Sequence, residues 1–436
     1  MHWQNWSGLE SADPHTVISP ASVADVVAAV DGARRDRSTV KMVGTGHSFT
    51  GIAAPVDVML RPDRLRGIVA VDREAMTVTA YAGTQLKVLN AELERLGLSL
   101  NNMGDIAEQT LAGAVSTGTH GTGGVAAGLA AQLTGFRIVT GTGEVLDASR
   151  SENRELFELG RIGLGALGIL VTMTFAVEPL FLLEAHEQPM SWDEALGSFD
   201  ELVAGAHHAD MYWFPHTDRM LTKRNTRLDA DLSEAEPVGR VRGWVDDELL
   251  SNTVFGALTA VANRAPGVVP RMNQVSARAL SERTYSDVAH RVFVSSRRVV
   301  FREMEYAVPR AAGLDALREA RRIVDASDWR ISFPVEIRVA PADDVAMSTA
   351  YDRDSFYLAF HTHHRSDWRT HAAYLEAMEA VMRTHDGRPH WGKLHTRTAA
   401  DLAPAYPRFG EFLALRDRLD PDRVFTNDYL RRVLGD

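Results

Sequence analysis

Gly44-Thr45-Gly46-His47-Ser48-Phe49-Thr50 follows directly on the run Val40-Lys41-Met42-Val43. A strand that breaks into glycines frees backbone N–H groups for an anion such as a pyrophosphate, and an imidazole at that place can meet a ligand's ring. The spacing departs from the dinucleotide fingerprint G-x-G-x-x-G, because Phe49 holds the place of the third glycine and the next one is Gly51. Taken alone, the stretch reads equally as an anion loop or as an ordinary turn carrying a surface histidine.

The chain has 436 residues, long for one hydrophobic core, so two domains or one domain with a large insertion is expected. Its 47 basic and 58 acidic residues give a net charge of −11, which offers no extended basic surface and argues against a nucleic-acid partner. The lack of cysteine excludes a disulfide scaffold, thiolate-bound zinc, iron–sulfur clusters and thiol catalysis together. Any redox chemistry then needs a bound organic cofactor or a cysteine-free metal site. No basic segment followed by an apolar one marks residues 1–6 as a signal peptide, and the apolar run at 162–177 is glycine-broken and too short to span a bilayer. The expectation is a soluble, cytoplasmic protein without a membrane span.

Working outward, Ser19-Pro20 reads as a cap and first helical residue before Val23, Val26, Val27 and Val30 at helical spacing. Strands are expected at 40–43, 56–60 and 76–82. Leu86, Leu89, Leu93 and Leu96 form a helix that Gly97 ends. Residues 101–124 are crowded with small residues and end in Gly118-Thr119-His120-Gly121-Thr122-Gly123-Gly124, suited to close approach of a ligand. Thr140-Gly141-Thr142-Gly143 between apolar runs signals a hairpin, and Gly163-Leu164-Gly165-Ala166-Leu167-Gly168 leads into a further strand at Ile169. Strands and helices mix without strict alternation, so the class is α+β. A boundary is expected near Glu178-Pro179, and residues 228–290 read as polar and helical.

Two later segments alternate. Over 331–339, Ile331, Phe333, Val335, Ile337 and Val339 share an apolar face and Glu336 with Arg338 the other; over 355–363, Phe356, Leu358 and Phe360 oppose Tyr357, His361 and His363. If both strands lie in one sheet whose apolar face is covered by helices such as the one near 314–324, then Glu336, Arg338, His361 and His363 line a common polar floor. His361 and His363 also suit two metal ligands with Glu336 as a third, but nothing in the spacing demands a metal and none is expected. Arg388-Pro389-His390-Trp391-Gly392-Lys393 is either an aromatic cluster or the seat of a fixed ammonium that stabilises an anion.

With these residues in view the chain resembles the aldonolactone oxidoreductases of the vanillyl-alcohol oxidase type flavoproteins, close to the alditol oxidases. The likeness rests on the joint order of Gly44-Thr45-Gly46-His47-Ser48, Gly118-Thr119-His120-Gly121, Gly165-Ala166-Leu167-Gly168, Glu336-Ile337-Arg338, His390-Trp391-Gly392-Lys393 and Phe425-Thr426-Asn427-Asp428-Tyr429. It implies a two-part FAD-binding domain at 1–178 and 390–436, and a substrate (cap) domain at 179–389 built on an antiparallel sheet. It implies FAD held by Val43, Gly44, Thr45, Gly46, His47, Ser48, Asp105, Thr110, Gly113, Thr117, His120, Gly121, Ile169 and His390, with a covalent bond from His47 to the flavin. Glu336, Arg338, His363 and Lys393 would bind substrate, and His361 would take the hydroxyl proton while a hydride passes to flavin N5.

The alditol oxidases carry Ala-Ser where this chain has Gly104-Asp105, and Phe301-Arg302-Glu303-Met304-Glu305-Tyr306 looks like lactone-oxidising relatives. The resemblance therefore implies oxidation of a gulono- or arabinono-1,4-lactone, and Gly104 would leave a path for O2 or another acceptor. An alditol oxidase acting on open-chain polyols, a metal-dependent hydrolase using His361 and His363, and a non-catalytic flavin-binding module are the other readings.

Overall fold

The computed structural model describes residues 2–239, 264–294 and 299–436. The first helix, Val23–Arg35, starts three residues beyond the expected Ser19-Pro20, because Ser22 closes a capping box with Asp25. It covers a three-stranded parallel sheet in which Val58–Leu60 lies between Thr16–Ile18 and Val40–Met42. A five-stranded antiparallel sheet follows, ordered Val145–Ser149, Leu133–Val139, Ile169–Ala176, Thr77–Tyr81, Ile68–Asp72. The hairpin through Thr140-Gly143 turns on Gly143 at φ +83, a conformation that glycine adopts without steric cost. Helix Leu86–Arg95 places Leu86, Leu89 and Leu93 in the core on this sheet, and Gly97, at φ +70, ends it as its sequence indicates.

Among the described residues the largest sheet has eight strands, all antiparallel, in the order Arg283–Val288, Leu182–Ser191, Arg219–Leu228, His208–Trp213, Val335–Ala340, Ser355–His363, Phe301–Pro309, Arg388–Pro389. One face is apolar. Met211, Trp213, Val335, Ile337, Val339, Phe356, Leu358 and Phe360 pack there against helices Gly313–Ala326 and Trp368–Thr384, each large side chain removed from water contributing about 1.5–3 kcal/mol. The other face carries charge and turns toward the smaller sheets.

Two expectations are corrected. The strand read over 331–339 begins only at Val335, since Pro334 has no N–H to give a ladder; Phe333 packs instead with Phe49 and Phe301. The segment read as helical over 228–290 contains the helix Val269–Ala279 and the edge strand Arg283–Val288, and its residues 240–263 lie outside the described ones. The α+β class holds.

The late part of the chain closes on the early part. Val40 N–H donates to Val424 O, Lys41 Nζ to Phe425 O, Phe49 N–H to Gly392 O, and Asn427 Nδ2 to the carbonyls of Gly51, Ile52 and Ala54. The N-terminal segment adds Trp6 N–H to Gly46 O and Asn5 Nδ2 to Ser48 O.

A Cβ built on Gly313, where the helix starts over the large sheet, would stand 2.2 Å from Cγ of Phe356. Gly313→Ala should therefore lower stability by about 1–3 kcal/mol through overpacking, read as a reduced unfolding midpoint with unchanged substrate affinity.

Candidate active site

Three segments far apart in sequence converge. The glycine loop 44–48 lies on the N-terminus of helix Leu111–Ser116, whose cap Thr110 accepts from Gly113 N–H at 3.3 Å. A Cβ on Gly44 would sit 2.3 Å from Thr110 Oγ1, so only glycine lets the loop lie this close, and Gly46 takes φ +71. Gly392, third of the residues 390–393, packs on the loop from the other side: a Cβ there would meet Ser48 Oγ at 3.1 Å and Thr117 Cβ at 3.5 Å.

The open cleft beside this loop spans about 810 Å³, solvent at its mouth included, and is lined by Gly44, Thr45, His47, Thr110, Gly113, Thr117, Gly165, Gly168 and Ile169. Val43 and Phe49 N–H groups are used internally, whereas among the described residues none accepts from the N–H groups of residues 44–48. A row of open donors beside a glycine-lined wall fits a flavin dinucleotide, with the pyrophosphate on the loop. Lys41, buried beneath it, donates to Gly165 O and Phe425 O, both at 3.1 Å, and burial pushes its pKa down to about 7 against the pull of Asp420. Burial also lowers the pKa of His47, helped by Lys393 and Lys87 and opposed by Glu108, so the imidazole is held neutral against the Trp6 ring, 5.8 Å away.

Next to the loop the charged face of the large sheet begins. Glu303 lies opposite His361, and Glu305 and Glu336 both lie opposite Ala359. Lys393 Nζ bonds closely to Glu303 and is 3.9 Å from Glu305 Oε2. His120 Nε2 reaches Glu305 Oε1 at 3.2 Å while its Nδ1 faces Gly121 O at 2.8 Å, and its ring lies on Tyr357 with centroids 3.9 Å apart. Burial opposes both carboxylates, yet Lys393 with His361 holds the Glu303 pKa low, and His120 with Lys393 does the same for Glu305. His390 accepts from Gly392 N–H on Nδ1, and burial drives its pKa to about 3.

Arg338 is ringed by acids: Glu336 Oε1 at 2.6 Å, Asp210 Oδ1 at 3.2 Å and Asp105 Oδ1 at 3.6 Å. Tyr212 OH donates to the same Glu336 oxygen at 3.0 Å. His361 gives Nδ1–H to Pro334 O at 3.1 Å, since a carbonyl can only accept, which leaves Nε2 buried, without a hydrogen bond and 3.6 Å from Glu303 Oε1.

Of the residues singled out from sequence, Glu336, Arg338, His361 and Lys393 come together, and His120 and His390 stand beside them. Asp105 meets Arg338. His363 packs against Phe333 and His364 in a second cavity that His361 also lines, together with Ser332 and His371; burial takes its pKa to about 4. Two buried groups, His120 with Glu305 and His390, and Glu303 with Glu336 and His361, have ligand atoms within 4.8 Å. Lys393 places its ammonium between them. A Cβ on Gly104 would stand 3.0 Å from Thr119 Cγ2 and 3.2 Å from His120 O, so packing accounts for that glycine. Glu303, Glu305, Asp210, Tyr212 and Lys223 were not read as site residues. Their signal was alternation: Asp210 and Tyr212 interrupt buried Ala209, Met211 and Trp213, as Glu303 and Glu305 interrupt Met304 and Tyr306.

Residues 173–433 match the D-arabinono-1,4-lactone oxidase family, and residues 14–149 match the FAD binding domain. This chain is a member of the D-arabinono-1,4-lactone oxidase family. As such it is an FAD-dependent oxidoreductase of the aldonolactone type. It is 38% identical to the L-gulono-1,4-lactone dehydrogenase of Mycobacterium tuberculosis over 99% of both chains, and 30% identical to the L-gulonolactone oxidase of Scyliorhinus torazame over 99% of this chain and 98% of that one. An alditol oxidase from Streptomyces sp. is 29% identical over 99% and 98%. A cholesterol oxidase from Brevibacterium sterolicum superposes with TM-score 0.80 at 19% identity, over 99% of this chain and 96% of that one. That likeness carries the fold alone. Among the described residues no helix is long and apolar enough to cross a membrane.

Since Gly44 and Thr110 are in contact, Gly44→Ala should cost this family member most of its FAD. The ratio of flavin to protein absorbance in the purified variant measures it, with Gly197→Ala, where a Cβ meets nothing within 4 Å, as the silent control.

Proposed function

We propose that the protein oxidises a secondary hydroxyl next to the carbonyl of a gulono- or arabinono-type 1,4-lactone, with His361 as the base and Arg338 and Glu336 as the hydroxyl clamp. The observation that carries this reading is the buried Nε2 of His361, which makes no hydrogen bond and stands in one cluster with Glu303 and Glu336. Bound FAD supplies the two-electron acceptor, and O2 or another oxidant takes the electrons on.

Each residue has a separate task. Arg338 offers a planar fork of donors to sugar oxygens and Glu336 accepts from a hydroxyl, while Tyr212 fixes the carboxylate. His361 takes the hydroxyl proton on Nε2, because Nδ1 is committed to Pro334 O. The imidazolium so formed gains Glu303, 3.6 Å away. Lys393 keeps Glu303 and Glu305 ionised and presents its remaining N–H donors to the ligand. The neutral His47 ring, in the cofactor loop, suits a nucleophile that bonds the flavin.

Gly104-Asp105 favours a lactone over an open-chain polyol, because the Asp105 carboxylate occupies one side of Arg338. Turnover of L-gulono- and D-arabinono-1,4-lactone against xylitol decides between them, and faster xylitol turnover would overturn the lactone assignment.

His361→Gln should retain FAD and lose about 10²–10⁴ in the rate of anaerobic flavin bleaching by lactone. Bleaching at the wild-type rate removes His361 from the chemistry. After acid precipitation the yellow colour should stay with the protein pellet and move to the supernatant in His47→Ala; a wild-type pellet without colour rules out the covalent bond.

A further inference from the structure

Behind Arg338 the charged face of the large sheet continues. Lys223 is the cross-strand partner of Asp210, and Asp210 lies two residues before Tyr212, the partner of Glu336, so it shares a face and a row with Arg338. Lys223, Asp210 and Arg338 thus stand side by side on three adjacent strands, around a polar cavity of about 290 Å³ lined also by Asp105, His208 and Asn225. The contact from Arg338 Nε to Asp210 Oδ1 is 3.2 Å long but fails the angle of a hydrogen bond, so the restraint is one of charge. Lys223 is anchored by donating to Val292 O at 3.0 Å.

We propose that Asp210, with Lys223 as its cross-strand partner, is a positioning residue that sets the direction of the Arg338 fork and thereby the affinity for the hydroxylated substrate. This rests on the clamp role of Arg338 proposed above. Glu336 and Asp105 hold the Nη2 end of the guanidinium; Asp210 on Nε stops its rotation about the other. A rigid fork meets sugar oxygens without the entropy of ordering it at each binding event.

The groups facing Asp210 are Arg338, Glu336, Lys223 and Asp105, with His208 on its own strand. Burial raises its pKa to about 6, with Glu336 and Asp105 adding to the rise while Arg338 and Lys223 oppose it. The sign follows. Above that pH the carboxylate is charged and holds Arg338; below it the neutral acid releases the fork, so KM should rise as pH falls through about 6.

The test uses the FAD-loaded full-length protein with L-gulono-1,4-lactone, measuring kcat and KM from about pH 5 to pH 8. Asp210→Asn should raise KM roughly tenfold at the alkaline end, the scale of one lost charged contact, and make it independent of pH, with kcat, flavin spectrum and unfolding midpoint near wild type. Lys223→Met removes a cation that lowers the pKa of Asp210, so it should move the acid rise in KM to higher pH, and it serves if Asp210→Asn does not fold. A wild-type KM and pH profile in Asp210→Asn, a lowered unfolding midpoint with KM unmoved, or an unmoved acid rise in Lys223→Met each overturns the inference. Arg338→Lys separates the two layers. If it leaves KM unchanged, the clamp itself fails; if it raises KM while Asp210→Asn does not, only the role of Asp210 fails.

Discussion

Lys393 is the charge on which this site depends. Its ammonium lies between Glu303 and Glu305, two carboxylates on alternate positions of one interior strand, each also touching a histidine from elsewhere in the chain. Two acids so deeply buried would not both stay ionised without it, and breaking a buried pair by deleting one partner costs about 3–5 kcal/mol. The same contacts bring residues 390–393 onto the strand Phe301–Pro309, where His390 N–H donates to Glu305 O and Leu394 N–H to Glu303 O. Phe49 N–H reaches Gly392 O from there, so the electrostatic centre also fixes the distance between the glycine loop and the large sheet.

Two kinds of surface meet along that line. On the loop side are open N–H groups and imidazoles kept neutral by burial, His47 and His390; on the sheet side are ions in balanced groups, Arg338 with three acids and Lys393 with two. The division is suited to its ligands. A phosphate-bearing cofactor is held by fixed backbone dipoles, whereas a neutral sugar needs paired donors and acceptors whose charges cancel beyond the site.

The glycine loop, the helix at Leu86–Arg95 and the two faces of Ser355–His363 were legible in the sequence because each depends on local period or local steric need. Glu336 and Arg338 were placed correctly on one face although the strand starts only after Pro334. Glu303 and Glu305 alternate with Met304 and Tyr306, which puts the two acids on one face, but a strand buried on both faces does not mark that face as the one that meets a ligand. Asp210, Lys223 and Arg338 are neighbours only by register across three strands, and pairing of that range leaves no periodic trace in a single chain. His363 shares both a face and a cavity with His361, and Phe333, displaced from the strand by Pro334, packs beside both rings.

The closure of the late chain over the early chain has a consequence for biosynthesis. Val40, Lys41, Phe49 and the carbonyls of Gly51, Ile52 and Ala54 each take a partner from residues 392 to 427. On the ribosome these groups therefore wait for their late partners until nearly all of the 436 residues have emerged. Closure of the glycine loop is in this sense a late step of folding, set by the arrival of residues 392 to 427.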